Sequence, residues 1–317
     1  MKNILILSAG RRVELVKIFM REINLKNQNL KIFTTDINPN YSAACQFSNR
    51  YFKTPKVDEI NYIDFLLDKC KKYNIGMIIP TIDNELSILS KNQKLFESHE
   101  IFLIISEINF IKTCEDKRLT SVFFEKFNLS SPKIYQKNKI KFPCYVKPYS
   151  GSSGIGCYKV EKKEDLPESI KNDDKIILTE FVGKDYCEYT VDMYYNRHGS
   201  LKCLVPRQRI EVRAGEISKG ITRKNYVYEL VLSKFKKLPG AKGCITLQLF
   251  YNENIHQFFF IEINPRFGGG FPLSYSANAN FPKWLINEYF LNQEVTFFDN
   301  WKKDLLMLRY DSKILVK

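Results

Sequence analysis

Short apolar runs at residues 4–7, 31–35, 77–80 and 102–105 punctuate the first third of the chain, with amphipathic stretches near 12–26, 58–73 and 84–98 between them. Strand-length runs alternating with helix-like stretches predict a parallel sheet with helices on both faces. Ligands of such sheets bind beyond the carboxyl ends of the strands, and polar residues follow the strands there: Gly10, Arg11, Arg12, Asp36 and Asp83. From about residue 115 the pattern changes. A helix over 116–127 leads through Ser130-Ser131-Pro132 to a strand at 144–147, a glycine-rich loop, and strands at 156–160 and 176–180. The remainder is strand-rich, with runs at 189–196, 202–205, 244–250 and 258–264 before a helix at 282–291. There is no internal repeat.

Composition narrows the class. The 317 residues are 44% hydrophobic and 26% charged, enough apolar material for the cores of two or three domains and unlike a solvated coil. No run approaches the roughly 18–20 apolar residues of a spanning helix, so no membrane partner is expected. The N-terminal run is too short for a secretion signal and is expected to be a buried first strand. A net charge of +14 raises nucleic acid as a partner, but the lysines are dispersed and predict only a basic surface. Eight cysteines without a Cys-x-x-Cys pair suggest neither a zinc ribbon nor a disulfide scaffold, and point to reduced thiols in the cytoplasm.

Three segments carry candidate chemistry. Lys147 ends a strand and is followed by a loop containing Gly151, Ser152, Ser153, Gly154 and Gly156, where backbone N–H groups and an ammonium can approach a polyphosphate. The absence of Gly-Lys-Ser/Thr excludes a P-loop, and Gly10 alone does not make a dinucleotide fingerprint. In the second segment a strand ending at Glu180 turns through Gly183, exposing the backbone of Phe181 and Val182 to a flat heterocycle, with Glu188 placed to accept from ribose hydroxyls. In the third, the two-residue strand period puts Glu262 and Asn264 on one face and Ile261 and Ile263 on the other. Gln248, one hairpin turn away, adds a third oxygen donor of the kind magnesium takes.

Two further stretches are open to two readings. Residues 206–220 are dense in cations and make either a mobile cover, with Lys219 or Arg213 meeting phosphate oxygens, or a hairpin with solvated charges. Arg207, Arg209, Arg213 and Lys219 are not ranked by sequence. Gly268, Gly269 and Gly270 follow the metal strand directly and make either an anion cradle or a flexible turn. Arg11 and Arg12 are candidate grips for a carboxylate.

Taken in order, Asp116-Lys117, Val146-Lys147-Pro148, Glu180-Phe181-Val182 and Gln248 with Glu262-Ile263-Asn264-Pro265-Arg266 closely resemble the ATP-grasp superfamily. The resemblance is to the half-domains of the carbamoyl-phosphate synthase large subunit and to stand-alone carboxylate–amine ligases. It implies a mixed α/β and α+β chain: a parallel-sheet pre-ATP-grasp domain over 1–114, then a two-subdomain ATP-grasp fold, 115–185 carrying the glycine-rich loop and 186–317 the metal site. Lys117 and Lys147 would contact ATP phosphates, the loop with Ser152, Ser153 and Gly154 would close over them, and Glu180, Phe181 and Val182 would hold adenine. Glu188 would hold ribose, with Asp185 a rival because the spacing from the hinge to Glu188 is a residue longer than in some ligases. Gln248, Glu262 and Asn264 would bind Mg2+ or Mn2+. Arg266, with Lys219, would be catalytic, and Gly10, Arg11, Arg12, Asp83, Gly268 and Gly269 would face the substrate. The chain departs from the synthase in having Lys117 where the synthase has arginine. The implied activity is an ATP-dependent ligase that activates a carboxylate as an acyl phosphate for attack by an amine. The alternatives are phosphorylation of bicarbonate or carbamate and a non-catalytic ATP-binding regulator. Partners would be small-molecule acids and amines, with a homodimer the commonest assembly.

Overall fold

The computed structural model describes residues 1–27, 29–151, 154–213 and 215–316. The N-terminal apolar runs form strands β1 (Asn3–Ile6), β2 (Ile32–Asp36), β3 (Arg50–Lys53), β4 (Ile75–Ile79) and β5 (Phe102–Leu103). They pair in the order β3-β2-β1-β4-β5, and every pairing is parallel. Ile4, Leu5 and Ile6 are fully buried, as expected of a parallel sheet covered on both faces. The strand order reverses between β1 and β4, so the loops after them, carrying Arg11, Arg12 and Asp83, flank the crevice where ligands bind in such sheets.

The helix Val13–Asn24 buries one stripe, Leu15, Val16, Phe19 and Ile23. Phe19 meets Phe267 edge-on at 5.8 Å, and Tyr275 Oη donates to Glu22 Oε1 at 2.6 Å, so this helix bonds the parallel sheet to the C-terminal half. The predicted helix over 84–98 is two short helices, Leu86–Lys91 and Gln93–Glu97, broken at Asn92.

Strands β6 (Cys144–Pro148), β7 (Tyr158–Val160) and β8 (Ile176–Glu180) form a three-stranded antiparallel sheet in the order β7-β6-β8. Strands β9 (Cys187–Tyr195), β10 (Leu201–Arg213), β11 (Glu216–Thr222), β12 (Gly243–Asn252), β13 (Gln257–Asn264) and β14 (Leu306–Leu308) form a six-stranded antiparallel sheet, ordered β13-β12-β9-β10-β11-β14. β10 is far longer than the strand expected at 202–205, and the cationic stretch folds as the β10–β11 hairpin, with Arg207 and Arg209 turned inward and Lys219 exposed. No helix among the described residues is long and apolar enough to cross a membrane.

Beneath the glycines that follow β13 lies a buried ion pair. Asp192 takes Arg207 Nε at 2.7 Å and Nη2 at 3.0 Å, and Ser274 Oγ at 2.6 Å. Burying both charges is tolerable only with this number of directed bonds. The guanidinium fits because residue 270 has no side chain: a Cβ there would sit 2.0 Å from Arg207 Nη1 and 2.8 Å from Ile217 Cγ2. Gly270→Ala is therefore expected to cost about 2–4 kcal/mol in urea unfolding, and a change within about 0.5 kcal/mol would contradict this packing.

Candidate active site

β6 carries Lys147 into the space between the small sheet and the large one. Its side chain is 8% exposed. Burial, the largest influence, pushes the ammonium pKa down; Glu262 opposes this and Lys117 adds to it. A cavity of about 340 Å³ opens here, bounded by Lys117, Lys147, Glu188, Arg209, Gln248 and Glu262 among others. Lys117 begins the helix Lys117–Lys126; its backbone N–H donates to Tyr149 O and its Nζ to Gly151 O, both at 2.8 Å, so it is tied to the glycine-rich loop.

Gln248 stands opposite Glu262 across the β12–β13 ladder, and Asn264 Nδ2 donates to Glu262 Oε1 at 3.0 Å. The three oxygen-bearing side chains thus share one face. One expectation fails. The register slips after Gln248, so that Leu249 pairs with Phe260 and Ile261 is the extra residue of a β-bulge. Ile261 therefore lines the same cavity as Glu262 instead of facing away, while Ile263 is buried as expected. Gln248 Nε2 donates to Glu188 Oε1, and Arg209 Nη1 lies 3.2 Å from the same oxygen. Burial raises the Glu188 pKa, with Arg209 and Gln248 pulling it back. Glu188 lines the cavity, whereas Asp185 is exposed.

Where β13 ends, Arg266 Nη2 donates to Asp83 Oδ2 at 2.6 Å and to Asn264 Oδ1 at 3.2 Å, and Nη1 donates to Phe267 O at 3.3 Å. Arg12 Nη1 donates to the same Phe267 O at 3.2 Å and Nη2 to Thr81 O at 2.9 Å. Desolvation, reinforced by Arg266, lowers the Arg12 pKa to about 10. A second cavity, about 590 Å³, runs past Asp83, Lys117, Glu262 and Asn264. Among the described residues, Arg209 Nε and Arg266 Nε are buried donors without a hydrogen-bond partner. Orphaned donors of this kind call for a ligand, water or ion.

Other expected site residues stand elsewhere. Lys219 is exposed and pairs with Glu211 Oε2 at 2.7 Å; the strand alternation of β11 turns it out of the cleft, and Arg209 is the hairpin cation that lines it. Arg213 pairs with Asp311, and Arg207 is committed to Asp192. Gly10, at φ +51°, donates its N–H to Asp36 Oδ2 at 3.1 Å and shapes the turn after β1. A Cβ at Gly268 would meet the Thr246 side chain and one at Gly269 that of Glu216, and both glycines line a further cavity. Arg11 Nη2 lies 3.5 Å from Glu216 Oε1. At the hinge, Glu180 Oε2 accepts from Lys133 N at 3.3 Å, Lys159 sits over the Phe181 ring at 4.3 Å, and Val182 is half-buried. Gly154 lines the first cavity; Ser152 and Ser153 lie outside the described residues.

Sequence reasoning missed Glu85, Glu216 and Arg309. Glu85 is fully buried, accepting from Tyr62 Oη at 2.8 Å and from the N–H groups of Thr81 and Ile82, both at 3.4 Å. It underpins the loop that supplies Thr81 O to Arg12 and Asp83 to Arg266.

Residues 4–104 match the family described as PylC-like, N-terminal domain, and residues 172–310 match the family described as ATP-grasp in the biosynthetic pathway with Ter operon. Two family models thus cover separate parts of the chain, and the one over residues 172–310 is an ATP-grasp model. Among curated relatives it is similar to D-alanine–D-alanine ligase B of Clostridium perfringens, 28% identical over 151 residues, 37% of this chain. The match spans 49% of that relative's length. Solved structures of similar fold include the biotin carboxylase domain of 2-oxoglutarate carboxylase from Hydrogenobacter thermophilus, with a TM-score of 0.73 and 14% identity over 96% of this chain and 73% of that one. The L-amino acid ligase of Bacillus licheniformis gives 0.66 and 15% identity over 91% of this chain and 74% of that one. The N5-carboxyaminoimidazole synthetase of Staphylococcus aureus gives 0.69 and 14% identity over 94% and 79%. At these identities the ATP-grasp likeness is one of fold.

Burial lifts the Glu85 pKa from 4.5 to about 7, with its hydrogen bonds opposing the shift. The folded protein therefore holds this proton more tightly than the unfolded chain, and Glu85 costs stability as pH rises through that window, by up to roughly 3 kcal/mol. Urea unfolding from about pH 5 to about pH 8 should show wild-type stability falling relative to Glu85→Gln; parallel pH profiles would contradict the assignment.

Proposed function

We propose that this chain is an ATP-dependent ligase that transfers the γ-phosphoryl group of ATP to a substrate carboxylate, giving an acyl phosphate that an amine attacks with release of ADP and phosphate. The observation that carries the reading is convergence: Lys147, Gln248 and Arg209 line one cavity and Asn264 a second, Lys117 and Glu262 line both, and the Nε of Arg209 is a buried donor with no partner among the described residues. Phosphoryl transfer needs alignment and positive charge more than covalent help from the protein.

The donor set suits magnesium. Among the described residues no three acidic, His or Cys side chains cluster as a self-sufficient metal cage. One carboxylate with two amides instead fits an ion that completes its shell with water and phosphate oxygens. When bound, it would supply charge neutralisation across the phosphates. Lys147 would hold a phosphate oxygen in a site already stripped of water, and Lys117 would couple that grip to the glycine-rich loop. Arg266, pinned by Asp83, would stand beside the transferred group. Glu188 would reach the ribose, and Glu180 with the backbone of Phe181 and Val182 the adenine. We assign the pre-ATP-grasp unit to 1–114 and the two ATP-grasp subdomains to 115–185 and 186–317. Eight free thiols, five of them buried, with Cys114 and Cys157 half-buried and Cys187 exposed, support a reducing, cytoplasmic setting.

ADP release measured over pooled carboxylic acids and amines tests the activity. Glu262→Ala should lower it by about 100-fold or more while leaving the thermal midpoint near wild type; near-normal turnover would sink the metal assignment. A second comparison separates the hairpin cations. Arg209→Ala should weaken MgATP binding roughly tenfold and Lys219→Ala less than about twofold, and the reverse order would overturn the placement of Arg209 at the phosphates.

A further inference from the structure

A third cavity, about 470 Å³, lies next to the Arg12–Phe267 contact and within the size range of small-molecule sites. Three parts of the chain enclose it: the turn and helix after β1, the tip of the β10–β11 hairpin with Gly268 and Gly269 beneath, and the segment running out from β14. It is lined by six cations, Arg11, Arg12, Lys17, Arg213, Arg309 and Lys313, against two carboxylates, Glu14 and Glu216. Lys17 lies 3.7 Å from Glu14, and Arg213 is paired with Asp311. Glu216 lies 3.5 Å from Arg11 and 3.1 Å from Arg309, and Arg12 bonds to carbonyl oxygens, so among the described residues lining the cavity cations outnumber carboxylates by six to two.

Arg309 is built into this wall. β14 pairs with β11 through Leu308 and Lys219, the Arg309 N–H donates to Ser218 O at 2.9 Å, and its Nη2 donates to Gly269 O. Glu216 can lie flat over the glycines because a Cβ at residue 269 would stand 2.6 Å from its carboxylate carbon. The C-terminal strand thus carries a guanidinium, held by Glu216 and Gly269 O, to the wall of this cavity, which Arg12 also lines.

Building on the ligase reading, we infer that this cavity binds the substrate's far end and selects for a dianionic group there, a phosphate monoester or a pair of carboxylates, with Arg309, Arg11 and Lys313 as its specificity determinants. A guanidinium fork meets such groups with paired, charge-assisted bonds that a single carboxylate or a neutral amide uses only in part. Arg12, whose guanidinium shares Phe267 O with Arg266, stands between this group and the reacting end.

Calorimetric titration of the full chain tests the inference, with inorganic phosphate, malonate and acetate as probes, in the presence and absence of saturating MgADP. Phosphate or malonate should bind the MgADP-loaded protein, acetate roughly tenfold more weakly, and Arg309→Gln or Lys313→Gln should each weaken the dianion roughly tenfold without changing MgADP affinity. The tighter of phosphate and malonate distinguishes the two sources of dianion. Arg309→Lys, which keeps the charge and loses the fork, should fall in between and guards against a folding defect in the glutamine variant. Loss of dianion binding when MgADP is present would overturn the inference, because the anion would then be using the phosphate cleft. So would binding indifferent to Arg309→Gln and Arg11→Gln together, or acetate binding as tightly as malonate. Failure to bind MgADP would instead strike at the ligase reading, and the arm without nucleotide would still decide the role of Arg309.

Discussion

Two guanidinium groups, Arg12 from the turn after β1 and Arg266 from the end of β13, donate to one carbonyl oxygen, that of Phe267. Like charges this close repel, and the repulsion is strong where water is scarce. The arrangement holds because each group has a second anchor on the loop after β4: Thr81 O for Arg12 and Asp83 for Arg266. Glu85, buried at the end of that loop, braces it by accepting from the Thr81 and Ile82 N–H groups. The switch point of the parallel sheet and the end of β13 are thereby held together, with one cavity opening at Arg12 and another at Asp83. Phe19 against Phe267 and Glu22 against Tyr275 reinforce it with apolar area and a hydrogen bond.

The electrostatics of the cleft follow from the same constraint. Lys147 is buried with its pKa pushed down, and the Nε donors of Arg209 and Arg266 have no partner among the described residues. Each of these is unfavourable alone, and each is relieved by an anion with many oxygens. Strain of this sort at a binding site is offset elsewhere in the molecule, here by a well-packed six-stranded sheet and by the Asp192–Arg207 pair beneath the glycines. The glycines after β13 matter for this packing: Gly269 admits Glu216 and Gly270 admits Arg207, so the turn serves side chains of the hairpin.

Much of the architecture was readable because the signals are local. Apolar runs marked β1, β2 and β4, the boundaries expected for β8 match the structure, and the spacing of Glu262 and Asn264 correctly put them on one face. What escaped needs tertiary information. The bulge at Ile261 depends on how β13 pairs with β12, which period counting does not contain. β3 buries only Phe52, and β14 has only three residues, so neither has a hydrophobic signature of its own. Among the cations of residues 206–220, the choice of Arg209 over Lys219 rests on which face of the hairpin looks into the cleft. Glu85 carried no motif; its importance comes from being enclosed.

The most direct measurement is a co-crystal with manganese and ADP, with the ion located by its anomalous scattering. The account predicts a peak at about 2.1 Å from an oxygen of Glu262, with Asn264 or Gln248 in the same shell and the diphosphate reaching Lys147. A peak away from β13, or a nucleotide seated outside the cleft between the small sheet and the large one, would contradict it.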